Sequence, residues 1–106
     1  MALLNGANFQ GSDLTKAFFA GSDLRNANLN ETDCSGMKLN GADLDGCSFK
    51  KALLRKMDFS NLDLRDVNFS EADLRRADFR KSNLEKVNFF KADLRKTLFT
   101  DANITG

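Results

Sequence analysis

The chain has 106 residues, the length of one domain, and a formal net charge of +1. It contains no His, Pro, Trp or Tyr, so Phe supplies every aromatic side chain. Because His is the side chain most often used for proton transfer and metal ligation near neutral pH, this composition disfavours an enzyme. The two Cys residues form no C-x-x-C pair and have no His to complete a metal site. We therefore predict a non-catalytic protein without a cofactor or a metal site.

The N-terminal residues MALLNGANFQ do not combine a charged region with a long apolar one, and no apolar run is long enough to span a bilayer. These features predict a cytoplasmic protein that does not contact membranes.

Charge is unevenly distributed, with three Lys/Arg against six Asp/Glu in residues 1–49, a net of −3. Residues 50–106 carry thirteen Lys/Arg against nine Asp/Glu, a net of +4.

A five-residue repeat runs through the chain without an insertion. Every residue whose number ends in 4 or 9 is apolar, and the residue two positions earlier is small in all repeats except those of Met37, Met57 and Leu62. An apolar–polar–apolar triplet has period two, which predicts a very short extended segment with two inward side chains. The two polar or Gly residues that follow each triplet predict a corner.

The first half of the chain places glycine at one phase of these corners, as at Gly6 and Gly46, and this phase suits a type II-like turn with positive φ. From residue 51 to residue 101 that phase holds Lys, Asn, Asp, Glu or Arg, which predicts a change of corner geometry near the middle. Leu and Phe alternate strictly from Leu44 to Phe99. A coil of twenty residues therefore stacks like side chains on like, whereas a coil of fifteen would stack Leu on Phe. The coil is predicted to have four sides.

Triplets such as Ala42-Asp43-Leu44, Ala77-Asp78-Phe79 and Ala92-Asp93-Leu94 resemble the signature of the pentapeptide repeat family along the whole chain. The resemblance implies an all-β fold, a right-handed quadrilateral β-helix (solenoid), here of about five four-sided coils. Residues 1–106 are predicted to form one domain without evident capping helices. The predicted structural core comprises Leu4, Phe9, Leu14, Phe19, Leu24, Leu29, Cys34, Leu39, Leu44, Phe49, Leu54, Phe59, Leu64, Phe69, Leu74, Phe79, Leu84, Phe89, Leu94, Phe99 and Ile104.

One corner of the predicted coil collects positive charge at a spacing of twenty residues. This stripe is a candidate docking surface for an anionic partner, or a solvated edge partly cancelled by neighbouring Asp residues. Nucleic acid is a disfavoured partner because no aromatic side chains interleave the stripe. Its members are Lys16, Arg55, Lys56, Arg75, Arg76, Arg95 and Lys96.

Phe90 and Leu98 lie at phases where the repeat places polar side chains, close to the last coil. Exposed apolar side chains and bare end coils predict self-association, so these two residues are candidate contacts of a homo-oligomer. Three functions remain open from the sequence. The first is a protein-interaction or scaffold module with an unidentified protein partner. The second, implied by the family resemblance, is protection of gyrase or topoisomerase by DNA mimicry. The third is an engineered or excised repeat array without activity of its own.

Overall fold

The structure is a computed structural model that describes residues 2–105. Its backbone pairs as isolated parallel β-bridges between residues twenty positions apart, from Leu3–Asp23 to Asn83–Asn103. Within the described residues no continuous strand or helix forms, and each extended segment contributes one bridge residue, whose number ends in 3 or 8. The repeat of twenty residues gives a coil with four faces, as the alternation of Leu and Phe predicts.

We number the faces by their first segment. Face 1 begins with residues 2–4, face 2 with 7–9, face 3 with 12–14 and face 4 with 17–19, and each face is continued by the segments twenty residues further on. The coils stack into a short rod with principal extents of 29 × 21 × 20 Å.

Every corner uses the left-handed region of backbone space. In most corners the N–H that follows the turn donates to the carbonyl three residues earlier, as from Ala7 to Leu4 at 2.9 Å. The third turn residue has a φ of 70° to 74° where it is Gly and of 58° to 62° where it is another residue. The predicted type II-like turn is confirmed in this respect, but the predicted change of corner geometry after residue 51 is wrong. The stacked ladder holds Lys, Glu, Asp and Arg in a conformation that costs L-residues about 1–2 kcal/mol each.

The inward side chains form one continuous core. From Leu24 to Leu84, every residue at the apolar phase is buried, whereas those of the end coils, such as Phe9 and Phe99, are half-buried. Ile104 is a correction to the predicted core, because its side chain is 67% exposed. It lies in a partial sixth coil, where no further coil packs on its outer side in this structure.

Phenylalanine rings organise the centre of this core. On face 2, Phe69 stacks on Phe49 and Phe89 with ring centroids 5.4 and 5.6 Å apart. On face 4, Phe79 stacks on Phe59 at 5.1 Å. The two stacks meet edge to face across the rod, a favourable arrangement for aromatic quadrupoles.

Both cysteines are free and buried. The Cys34 thiol pairs with the Thr32 hydroxyl, and the Cys47 thiol donates to the Leu24 carbonyl at 2.7 Å. Burial raises the pKa of Cys34 to about 11 and that of Cys47 to about 12. Both side chains are therefore neutral packing groups at neutral pH.

The inter-coil ladder is interrupted at one place within residues 2–105, which we call the seam. Between segments 36–44 and 55–63, six ladder hydrogen bonds that the repeat would place there do not form. The ladder bonds donated by Cys34 and Gly46, at 3.1 and 3.2 Å, bound the gap. The donors left without a ladder partner are the N–H groups of Gly36, Leu39, Gly41, Leu44, Asp58 and Asp63.

Candidate interaction surface

The basic edge is the corner between faces 3 and 4, defined by the seven cations of the predicted stripe. The structure brings six of them together over the third, fourth and fifth coils. Lys16 lies apart, because the intervening coil presents the neutral pair Ser35-Gly36 at this corner. A shallow cleft of about 230 Å³ on the edge is lined only by Arg55, Arg75, Arg76, Arg95 and Lys96.

Two of these cations are held by carboxylates of their own repeat. Arg75 donates to Asp73 at 2.7 Å and Arg95 donates to Asp93 at 2.6 Å. Arg75 also lies 3.7 Å from Asp93, which links the two coils. The hydrogen bonds from Arg95 lower the pKa of Asp93 to about 2, and those from Arg75 lower the pKa of Asp73.

These carboxyl groups therefore stay ionised well below neutral pH. Because their folded-state pKa values are depressed, the stability they add is present above their unfolded pKa near 3.8 and is lost as the pH falls through their folded-state pKa values, which for Asp93 is about 2. The paired guanidinium groups are positioned by the fold, but their charge is largely compensated locally.

The remaining cations of the edge are not neutralised in this way. Among the described residues, Arg55, Lys56, Arg76 and Lys96 have no carboxylate within 4.0 Å. All four are exposed. Arg55 and Lys56 are thus both unpaired, and each of the next two coils adds one paired and one unpaired cation, so the edge carries a net positive field on a rigid backbone.

The Asp-x-Arg pairing was only partly foreseen from sequence. The neighbouring Asp residues were predicted to weaken the positive charge of the stripe, but the Asp-x-Arg motif was not recognised as an ion pair that holds the Arg side chain in place. The same two-residue spacing joins Asp23 to Arg25 at 2.9 Å and Asp78 to Arg80 at 2.8 Å. In each of these repeats an Asp on a face is followed two residues later by an Arg at the first corner position. This spacing was the signal in the sequence from which the ion pairs could have been predicted.

The two candidate self-association residues do not form one patch. Phe90 is 66% exposed at the corner between faces 2 and 3, where the Lys91 ammonium lies 5.4 Å from its ring centroid. Leu98 is 46% exposed on face 4. Face 3 and the basic edge separate them, so each would contact a partner independently.

No group of three His, Cys, Asp or Glu residues that could hold a metal ion occurs within residues 2–105. That part of the chain also contains no helix that is long and apolar enough to cross a membrane.

The sequence profile of the pentapeptide repeat region matches residues 12–89 and 36–106, which together include most of the chain. The chain belongs to the pentapeptide repeat family. No curated protein matches it.

Solved structures of pentapeptide repeat proteins match this fold. A trypsin-treated variant of QnrB1, a plasmid-mediated fluoroquinolone resistance protein, is 16% identical with a TM-score of 0.83, over 97% of this chain and 53% of that chain. HetL, involved in heterocyst differentiation regulation in the cyanobacterium Nostoc sp. strain PCC 7120, is 21% identical with a TM-score of 0.64, over 95% and 61%.

The pentapeptide repeat protein alr5209 from Nostoc PCC 7120 is 30% identical with a TM-score of 0.51, over 92% of this chain and 75% of that chain. This chain spans 53% of the QnrB1 structure and 61% of the HetL structure, which is less than two thirds of either. The predicted quadrilateral β-helix is confirmed, and the pentapeptide repeat family generally supplies structural or protein-binding modules rather than enzymes.

Proposed function

We propose that the chain is a non-catalytic interaction module that docks on an acidic surface of a protein partner through the basic edge. The observation that carries this proposal is the cleft lined only by cations, on a corner whose backbone is fixed by the ladder. Both cysteines are free rather than joined in a disulfide, which agrees with a reducing compartment such as the cytoplasm.

Rigidity favours this use of the edge. Arg76 N–H donates to the Arg95 carbonyl at 3.0 Å, and Lys56 N–H donates to the Arg75 carbonyl at 3.0 Å. The cations are therefore presented at the spacing of adjacent strands, about 4.8 Å per coil. Binding then costs side-chain entropy but little backbone entropy, so a modest number of charge contacts suffices for association.

A protein surface fits the edge better than nucleic acid does. Asp73 and Asp93 lie among the cations and stay ionised, so they would repel a continuous row of phosphates. Separate carboxylates on a folded partner can instead meet the unpaired cations one at a time. The near-neutral total charge also limits non-specific attraction to duplex DNA.

Charge reversal at the unpaired cations tests the proposal. Arg55→Glu combined with Arg76→Glu is expected to weaken binding of a labelled Glu-rich peptide at least about tenfold at low salt, because the field of the edge is inverted. Fluorescence anisotropy measured across a series of salt concentrations gives the affinity and its salt dependence.

The matched control is Lys81→Glu with Lys86→Glu, which makes the same change in net charge at two other corners. This control should bind the peptide with nearly unchanged affinity. Equal weakening by both double variants would mean that only net charge matters and would overturn the proposal. A short duplex DNA that binds more tightly than the peptide would overturn the choice of a protein partner.

Gyrase protection is not supported by a feature of this chain. QnrB1 is a fluoroquinolone resistance protein, but the likeness at 16% identity is one of fold. A mimic of duplex DNA needs dense negative charge, whereas this chain carries +1 and a basic edge. The interaction module is therefore the better proposal.

Self-association is a separate proposal, and it rests on Phe90 and Leu98 as exposed apolar contacts. We expect light scattering over a concentration series to give a mass above that of the monomer, and Phe90→Ser or Leu98→Ser to lower it. Phe18→Ser is the control, since Phe18 is 76% exposed in the first coil. A monomeric mass for the unsubstituted protein at every concentration would contradict the proposal.

A further inference from the structure

The seam is an unusual feature of this solenoid, and its position has a cause in the sequence. The small inward phase holds a small residue in eighteen of the twenty-one repeats, and the three exceptions are Met37, Met57 and Leu62. Met37 and Met57 stack directly on face 4, and Leu62 is the first residue of the next segment, on face 1. These are the two faces on which the ladder is open.

Comparison with the neighbouring coils isolates the cause. Where Met37 stacks on Ala17, the bond from Lys38 N–H to the Ala17 carbonyl is intact at 2.9 Å, and where Ala77 stacks on Met57 the bond from Asp78 to Met57 is also 2.9 Å. One large residue beside a small one is therefore tolerated on face 4. On face 4 two large residues lie in adjacent coils and exceed the space that the ladder spacing leaves, and overpacking pushes backbone apart. On face 1 Leu62 stacks on the small Ala42, and the gap continues there from face 4 along the chain.

The seam is a real opening on the surface. A cleft of about 550 Å³ lies along it, lined by Met37 and Leu39 on one coil and by Met57 and Asp58 on the next. One weak side-chain bond, from the Asn40 amide to the Asp58 carboxylate at 3.4 Å, spans the gap. Backbone N–H and C=O groups along the cleft are left without ladder partners, which makes this the least protected part of the middle of the rod.

Faces 2 and 3 remain closed at the same level. Leu29 N–H donates to the Ser48 carbonyl at 2.7 Å, and Leu53 N–H donates to the Thr32 carbonyl at 2.9 Å. Two coils that are hydrogen-bonded on faces 2 and 3 and separated on faces 1 and 4 can bend about the bonded faces. The seam also lies where the basic edge is broken at Ser35-Gly36, and close to the boundary between the acidic and the basic half of the chain.

We propose that the seam is a hinge built into the solenoid, at which the N-terminal and C-terminal coils open from each other on faces 1 and 4. Opening exposes the thioether side chains of Met37 and Met57 and changes the distance between Lys16 and the rest of the basic edge. The inference is independent of the proposed partner, because it concerns the free protein.

Amide hydrogen exchange of the full chain, followed by NMR, tests the hinge with internal controls. Leu39 and Leu44 lie in the seam, and Phe59 and Leu64 occupy the same columns one coil later with intact bonds of 2.8 Å each. We expect the two seam amides to exchange on the order of 100-fold faster than the two controls. Equal protection of both pairs would overturn the hinge.

The cause is tested by Met37→Ala combined with Met57→Ala, which restores the small residue in both coils. Protection of Leu39 and Leu44 is expected to rise while that of Phe59 stays unchanged. Val67→Ala, a truncation in a closed column, should raise protection nowhere. A folded double variant with unchanged fast exchange would refute the role of the methionines. If circular dichroism shows that the double variant does not fold, Met57→Ala alone is compared in the same way.

Discussion

Phe69→Ala is expected to lower the free energy of unfolding by about 3–5 kcal/mol, a large part of the stability of a domain of this size. Phe69 is 0% exposed and contacts four other rings. Removing it leaves a cavity between stacked coils, which cannot collapse because the ladder fixes their separation. Urea unfolding followed by circular dichroism measures the change.

Phe99→Ala is the matched control for this truncation. Phe99 contacts two rings and is only half-buried, so the same chemical change should cost much less. Because each coil contacts only its neighbours, loss of Phe69 should also uncouple the two ends and broaden the transition. Equal costs for Phe69→Ala and Phe99→Ala would contradict a core centred on the middle coils.

Ala52→Met combined with Ala72→Met is expected to destabilise the fold by about 1–3 kcal/mol and to open a new gap on face 3, because it places two large side chains in adjacent coils. Ala72 is 1% exposed and lies between Ala52 and Ala92 in the small column. Its carbonyl accepts from Asp93 N–H at 3.0 Å, and Asp73 N–H donates to the Ala52 carbonyl at 3.0 Å. Two stacked side chains of methionine size are expected to displace the bond between Asp73 and Ala52, whereas the bond from Asp93, beside the small Ala92, should stay intact.

The measurement is urea unfolding together with hydrogen exchange, in which the Asp73 amide should lose protection and the Asp93 amide should keep it. Ala102→Met is the control, because Ala102 is only half-buried in the partial last coil and should accept the larger side chain at lower cost. A stable double variant with the Asp73 amide still protected would contradict the link between inward residue size and ladder closure.

The five-residue repeat and its coil could be predicted from sequence because each phase of the repeat occupies one fixed place in the coil. A buried Leu or Phe at every fifth residue defines the inward direction, and the match of Leu with Leu defines the number of sides. Corner geometry was harder to predict, since Lys91 and Glu71 adopt a φ that glycine would favour. Their conformation is imposed by the ladder rather than by local preference, and local preference is what the sequence displays.

The seam and the Asp–Arg ion pairs of the basic edge were not predicted from the sequence, for a different reason. Met37, Met57 and Leu62 were visible as exceptions, but their effect depends on which of them stack in adjacent coils. Met37 and Met57 are both buried, yet the ladder beside them is open. In the same way, the composition of the stripe does not reveal that Asp73 and Asp93 hold two of its arginines.

The most direct test of the central claim is to map where an acidic ligand contacts the protein. In a titration of the isotope-labelled chain with a Glu-rich peptide, we expect NMR shifts to concentrate at the corner formed by residues 55–56, 75–76 and 95–96. Shifts spread evenly over all four corners, or centred on Lys81 and Lys86, would contradict docking through the basic edge.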